Sequence, residues 1–360
     1  MKRKGKRILY GVSGEGRGHA MRSSVIIGHL LKDHEVMIIG YDRSFEFLSS
    51  MFKNVHNIKG FNIVYENNCV NNRKTLTKFL KELPSDIRSN GSFLYKAITN
   101  FRPHIIITDI EPFSNMISKL RRIPLVSIDN QSIITKTRIS VPRRFYADKL
   151  FAASVIRCFI SRPKEYLITT FFHPPVKPGR PVKLFPPILR DHILKKKPEI
   201  KDHILVYQTS KSYSRLASIL KKTGQKFIIY GFDKEKTEKN LVFRKFNNDI
   251  FYKEFASCKA VIANGGFGLI GEALHLKKPI LSIPVRKQFE QVLNALYLEK
   301  LGFGEFHEDL DPAKLNSFLS CLETYRHNIK EKHKETDNSK ILKAVDELIE
   351  KYSKRYKDEN

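Results

Sequence analysis

The 360 residues suffice for two ordinary domains, and 41% of them are hydrophobic. Lys+Arg total 65 against 37 for Asp+Glu, a formal charge of +28 that points to phosphates, nucleic acid or an anionic membrane face as partners. The cysteines at 69, 158, 258 and 321 are scattered without a C-x-x-C pair, which argues against a disulfide framework or cysteine zinc site and suits a reducing cytoplasm. No run approaches the roughly 20 apolar residues of a membrane span.

The opening "MKRKGKRILYGVS" starts like an export signal, but its apolar stretch is too short, so export is not expected. "RILYGVS" (7–13) reads as a strand and "MRSSVIIGHLLK" as a helix. "EVMIIGY" (35–41), "FNIVYE" (61–66), "HIIITDI" (104–110), "PLVSID" (124–129) and "EYLITTFF" read as further strands. These runs are continuously apolar rather than alternating, as strands covered on both faces of a parallel sheet must be. Six prolines between His173 and Pro187 then mark a linker or domain edge, because proline lacks the N–H donor and restricts the residue before it. Strand–helix alternation resumes with "HILVYQT", "QKFIIYGF", "NLVFRKF", "KAVIANGG" and "PILSIPV", and charged helical patterns fill 312–356. The expected organisation is a doubly wound α/β domain over 1–175, a linker over 176–201 and a second such domain over 202–360, with a cleft between them. In open α/β sheets, ligands sit beyond the carboxyl ends of the strands, where this chain carries two glycine loops.

The first loop, "GVSGEGRGHAMRS", lets bare backbone at Gly14, Gly16 and Gly18 approach a ligand ahead of a helix. It is not a dinucleotide fingerprint, since His19 stands where the third glycine belongs, and it lacks the Lys-Ser/Thr of a P-loop. His19, at the helix start, is a candidate general base. Asp109 and Glu111 of "TDIEP" end a strand of the same sheet. Either could orient His19, or cap the next helix. The second loop, "NGGFGLIGEALH", sets Gly265, Gly266 and Gly268 before a helix whose N–H groups suit a diphosphate. Glu272, four residues after Gly268, lies on the same helix face. It reads either as the acid holding a ribose or as a solvated helix residue.

"NGGFGLIGEALHLKKPILSIPVRKQFEQVLNALYLEKLG" resembles the C-terminal signature of family 28 glycosyltransferases, whose type enzyme adds N-acetylglucosamine to lipid-linked muramyl-pentapeptide. "GEGRGH", together with "DNQ" at Asp129, Asn130 and Gln131, resembles a set of mainly archaeal glycosyltransferase-like proteins. The resemblance implies a GT-B fold, two Rossmann-like domains facing a central cleft, with a UDP-sugar donor on the C-terminal half. It implies that Glu272 holds the ribose and that Gly265, Gly266 and Gly268 lie near the diphosphate. It also implies that Gln288, Gln291 and Asn294 contact the donor sugar or support its site, as an amide edge spaced i, i+3, i+6. Three features depart from the type enzyme. Gly268, Leu269 and Ile270 replace a Ser/Thr-rich stretch, "QTSKSYS" (208–214) stands for a glycine-serine loop, and the D-N-Q of an acceptor site replaces H-E-Q.

The expected activity is a metal-independent, inverting transfer of a hexose or N-acetylhexosamine from a UDP-sugar to an acceptor hydroxyl, with no cofactor. The expected acceptor is a polyprenyl-phosphate-linked or other cell-envelope glycan precursor. The residues from Ile133 to Lys183 hold eleven Lys/Arg against two acids, which suits either an anionic membrane surface or the solvated face of a packed helix. A cytoplasmic protein is therefore expected, peripheral to the membrane's inner face on the first of these readings. A UDP-N-acetylglucosamine 2-epimerase-like enzyme and a non-catalytic nucleotide-sugar-binding protein are the alternatives. No nucleic-acid partner is expected, for lack of a recognisable module or an aromatic stacking platform.

Overall fold

The computed structural model describes residues 5–66, 69–208, 215–333 and 337–358. The strands are, in chain order, β1 (Arg7–Val12), β2 (Glu35–Gly40), β3 (Val55–Asn57), β4 (Tyr65–Glu66), β5 (Cys69–Val70), β6 (Ile105–Asp109), β7 (Leu125–Asp129), β8 (Glu165–Thr169) and β9 (Val182–Phe185). They continue with β10 (Ile204–Tyr207), β11 (Phe227–Tyr230), β12 (Lys236–Glu238), β13 (Leu241–Phe243), β14 (Ala260–Ala263), β15 (Ile280–Ser282) and β16 (Gly304–Phe306). The chain divides into two units. One holds the described residues of Met1–Val64, Asn71–Ile188 and Asp337–Asn360, and the other those of Tyr65–Val70 and Leu189–Thr336.

Among the described residues, the first unit's sheet runs β3-β2-β1-β6-β7-β8-β9, and every pairing is parallel. The continuous apolar runs serve both faces. Ile8, Tyr10 and Val12 of β1 pack with Ala20, Ile26 and Ile27 of the helix Arg17–Leu30. Leu9, between them, packs on the other face with Leu94 and Ile98 of the helix Asn72–Phe101 and with Phe113 and Ile117 of Pro112–Arg121. Each such side chain contributes roughly 1.5–3 kcal/mol of burial. The second unit's sheet runs β12-β13-β11-β10-β14-β15-β16, parallel except where β12 meets β13. Both units are therefore doubly wound α/β, as the strand–helix alternation predicts.

Three segments differ from the sequence expectation. "FNIVYE" gives only the two-residue strand β4, paired with β5. The backbone N–H of Ile63 donates instead to Glu15 Oε2 and that of Val64 to Thr75 Oγ1, so side chains take the groups a strand would use. The proline-rich span is not wholly a linker: Val182, Leu184 and Phe185 add β9 to the first sheet's edge, where a preceding proline costs no ladder bond. The helix Ser339–Asp358, expected with the second domain, belongs to the first unit. Its Ile341, Val345, Leu348, Ile349 and Tyr352 lie on one helical stripe and join the Ile8–Tyr10 cluster.

This framework puts Asp109 at the carboxyl end of β6 and Asp129 at that of β7, beside the loop that leaves β1. In the second unit the loop leaving β14 carries the 265–268 glycines.

Candidate active site

Gly16, at φ 79°, is the N-cap of the helix Arg17–Leu30 and, being glycine, makes no side-chain cap bond. The turn places His19 in the helix's first turn with Nδ1 2.8 Å from Asp109 Oδ1. Arg22, three residues on and so on the same face, sets Nε 2.6 Å from Asp109 Oδ2 and Nη2 2.6 Å from Oδ1. Ser23 Oγ donates to Oδ2 at 3.2 Å. All four side chains are buried, Asp109 fully. Burial alone would raise the Asp109 carboxyl, but the Arg22 guanidinium and His19 outweigh it and hold the group below the ordinary carboxylate value. Gln131 Nε2 lies 3.4 Å from His19 Nε2. Ile110, between the two acids of "TDIEP", has φ 52°. A β-branched residue in that region is strained, a condition that clusters at functional sites.

Of the residues singled out in this half, Asp109 and Gln131 meet His19. Glu111 instead caps the helix Pro112–Arg121, accepting from the N–H groups of Phe113 at 2.8 Å and Ser114 at 2.6 Å. Burial pushes its carboxyl up to about 7 against those bonds. Asp129 accepts from the Ser132 N–H at 2.6 Å and from the Ser127 and Ser132 hydroxyls at 2.6 and 2.9 Å, so it holds the loop that delivers Gln131. Asn130 beside it is buried. Gly14 answers to packing: a Cβ there would lie 2.3 Å from the Tyr41 ring. At Gly16 and Gly18 a Cβ would meet nothing within 4 Å, so their backbone stays open to a ligand.

In the second unit Gly265 has φ 86°, and a Cβ there would press on Ser282 Oγ at 2.8 Å and on the Gln291 carbonyl at 2.9 Å. Gly266 caps the helix Phe267–His275 without a side-chain bond, and the space over Gly266 and Gly268 is open. A helix N-terminus suits an anion. Glu272 is buried, not solvated, with Oε1 2.7 Å from Arg190 Nη2. Burial raises its carboxyl and Arg190 draws it back in part. Arg190 also donates to Tyr252 Oη and lies 4.5 Å from that ring's centroid. Each of the three amides is tied to backbone. Gln288 is the N-cap of the helix Phe289–Lys300 and accepts from the Gln291 N–H at 2.7 Å. Gln291 accepts from the Val285 N–H at 2.9 Å, and Asn294, buried, donates to the Gly265 carbonyl at 3.1 Å. They brace the loop. Of "QTSKSYS", residues 209–214 lie outside the described residues.

A family model, Glycosyl transferase family 1, matches residues 6–323. The chain belongs to this family of glycosyltransferases. An uncharacterised glycosyltransferase of Methanosarcina mazei is 25% identical over 96% of this chain and 98% of its own length. The UDP-N-acetylglucosamine–N-acetylmuramyl-(pentapeptide) pyrophosphoryl-undecaprenol N-acetylglucosamine transferase of Clostridium kluyveri is 35% identical, over 26% of this chain and 28% of that enzyme. The likeness to the family 28 type enzyme is thus local. The solved structure of a UDP-glucosyltransferase from Polygonum tinctorium, described as capable of glucosylating indoxyl, superposes with a TM-score of 0.66. Its sequence is 13% identical, and the match covers 96% of this chain and 99% of that one. The fold is GT-B.

The first unit of this glycosyltransferase also holds an apolar pocket of about 220 Å³. Phe61, Phe79, Phe113 and Phe159 line it, with Glu82 and Asp86 among the polar residues. Phe61 meets Phe79 and Phe159 edge-on, with centroids 5.3 and 4.8 Å apart. The lining comes close to the His19 cluster in sequence at two points. Glu15 holds Ile63, next to Asn62 of the lining, and Phe113 follows Asp109 by four residues. In the basic segment from Ile133 to Lys183, Ile133, Ile134, Ala153, Ile156 and Phe159 are buried, whereas Tyr146 and Leu150 are exposed. The helix Asn72–Phe101 exposes more apolar surface, at Leu76, Leu80, Ile87, Phe93 and Tyr95. Among the described residues no helix is long and apolar enough to cross a membrane, and no three His, Cys, Asp or Glu side chains gather to hold a metal ion.

Two residues of the glycosyltransferase escaped the sequence reading. Arg22 was visible in principle, since "HAMR" puts it three residues beyond His19. Arg190 sits at the end of the proline-rich span with no local pattern to single it out.

Proposed function

We propose that the chain transfers a hexose or N-acetylhexosamine from a UDP-sugar to a hydroxyl of a lipid-linked glycan precursor, with inversion and without a metal. The observation that carries the reading is the buried His19–Asp109 contact of 2.8 Å at the carboxyl end of the first sheet. In the first unit, His19 Nε2 takes the proton of the acceptor hydroxyl as its oxygen bonds to the anomeric carbon. The bond from that carbon to the β-phosphate oxygen breaks, and UDP leaves with the electron pair. Base catalysis of this kind contributes ~10²–10⁴-fold. In the second unit, the N-terminus of Phe267–His275 holds the diphosphate and Glu272 the ribose. That the Clostridium enzyme is a UDP-N-acetylglucosamine transferase and the Polygonum enzyme a UDP-glucosyltransferase supports this choice of nucleotide.

The pocket lined by Phe61, Phe79, Phe113 and Phe159 suits the apolar part of an acceptor. Leu76, Leu80 and Ile87, flanked by exposed Arg73, Lys74, Lys81 and Arg88, suit an anionic membrane surface. Thermal stabilisation by UDP, GDP and dTDP tests the donor: UDP alone should raise Tm, and an equal or greater effect of GDP or dTDP overturns the choice. Conversion of UDP-N-acetylglucosamine to its 2-epimer without acceptor would overturn the transfer itself. Sedimentation with anionic vesicles but not with neutral ones is expected, and no difference removes the membrane from the reading.

A further inference from the structure

The guanidinium of Arg22 sits on both oxygens of Asp109, and its Nη2 is also 2.7 Å from His19 Nδ1. The contacts on Nδ1 compete. A guanidinium has donors only, so Nδ1 either accepts from Arg22 or carries a proton and donates to Asp109. If Nδ1 were bare, Arg22 Nη2 would donate to it, but its lone pair would still face Asp109 Oδ1 at 2.8 Å in a buried site, and the carboxylate would lose a donor. If Nδ1 is protonated, Asp109 receives four donors for its four lone-pair sites. Oδ1 accepts from Arg22 Nη2 and His19 Nδ1, and Oδ2 from Arg22 Nε and Ser23 Oγ. The second arrangement satisfies the carboxylate fully. It also leaves Nε2 as an acceptor facing the Gln131 amide nitrogen at 3.4 Å.

Charge is the other half of the argument. A histidine beside a lone buried carboxylate is drawn toward the imidazolium, and an imidazolium has no lone pair with which to take a proton. Here the carboxylate is already paired with a cation, so a second positive charge on His19 would meet a guanidinium at contact distance. The remaining ionisable groups nearby do not reverse this. Glu111 is bonded to Phe113 and Ser114, Asp129 to Ser127 and Ser132, and Tyr10 of β1 is buried in its neutral form.

We propose that Arg22 is a positioning residue for the transfer: by neutralising Asp109 it keeps the imidazole of His19 uncharged, with its proton on Nδ1 and its lone pair on Nε2. The proposal rests on His19 acting as base, but its test needs neither donor nor acceptor. Nitrogen NMR of histidine-labelled protein, with His19→Gln to assign the signals, reads both ring nitrogens at pH 7. In the wild type, Nδ1 should be protonated and Nε2 bare. In Arg22→Gln the fraction of His19 with both nitrogens protonated should rise about tenfold or more, while Arg22→Lys, which keeps the charge, should stay near the wild type. A wild-type proton on Nε2 overturns the proposal, as does an unchanged His19 in folded Arg22→Gln. Should Arg22→Gln not fold, the wild-type tautomer and Arg22→Lys decide: a charged His19 in folded Arg22→Lys also counts against it. Failure of UDP to stabilise the protein, with His19 behaving as expected, counts against the donor reading alone.

Discussion

Glu272 Oε1 and Arg190 Nη2 lie 2.7 Å apart in a part-buried ion pair, so the acid proposed to hold the ribose is fixed in place by a cation of its own unit. Two consequences separate. Glu272→Gln keeps the shape but removes the charged acceptor. UDP binding should weaken by about 1.5–3 kcal/mol, roughly 10–100-fold, in titration calorimetry. Arg190→Ala leaves a buried carboxylate uncompensated, and unfolding stability should fall by about 3–5 kcal/mol. Equal UDP affinity in wild type and Glu272→Gln would remove the ribose assignment.

The glycines of the second loop are predicted to part ways. Gly265→Ala forces a side chain into a φ of 86° and against Ser282 and Gln291, so it should lower both stability and UDP affinity. Gly268 lies within the helix Phe267–His275 with open space above it. Alanine there should stabilise the protein by up to about 1 kcal/mol through helix propensity. The added methyl should nonetheless weaken UDP, by standing where the diphosphate approaches the N–H groups. Higher Tm with lower affinity is the expected pair of results; higher Tm with unchanged affinity would place the diphosphate elsewhere.

Glu111 gives a pH prediction. Burial raises its carboxyl from 4.5 to about 7 in the folded chain. The folded state therefore binds a proton that the unfolded state has already released between those values. Its contribution to stability is fully present below pH 4.5 and is lost as pH rises to about 7, on the order of 3 kcal/mol. Asp129 and Glu272 are raised in the same sense, so the comparison is between the wild type and Glu111→Gln, which cannot ionise. Urea denaturation at pH 5 and pH 8 should show a smaller drop in the variant. An equal drop would show that the two backbone N–H bonds keep Glu111 ionised throughout.

The alternating strands and helices were legible because the signals are local. Continuous apolar runs such as "HIIITDI" must be covered on both faces, and glycines 16, 18, 266 and 268 stand where the space over the backbone is open. His19 could be set beside Asp109 and Glu111 in advance because they stand at the carboxyl ends of strands of one sheet, but the sequence did not say which acid would meet it and which would cap the next helix. What stayed hidden depends on distant partners. Nothing near Glu272 in sequence foretold Arg190, 82 positions away. The amides at 288, 291 and 294 read as a helical edge, yet each binds backbone, because an N-cap and a positive-φ glycine left carbonyl and N–H groups needing partners. The stripe on the last helix was visible as amphipathic, but period alone does not say which sheet it covers.

That stripe supports the final prediction. Leu348 is buried among Ile8, Tyr10, Ile105 and Ile107 of the first unit, all far from it in sequence. Leu348→Ala should cost about 2–5 kcal/mol, whereas Glu347→Ala, on the exposed side of the same helix, should stay within about 0.5 kcal/mol. Hydrogen exchange locates the loss. If the helix is part of the first unit's core, Leu348→Ala should speed exchange in β1 and β6 as well as in the helix itself. Faster exchange confined to the helix would make it an appendage, and the first unit's core would then end with the chain's first 188 residues.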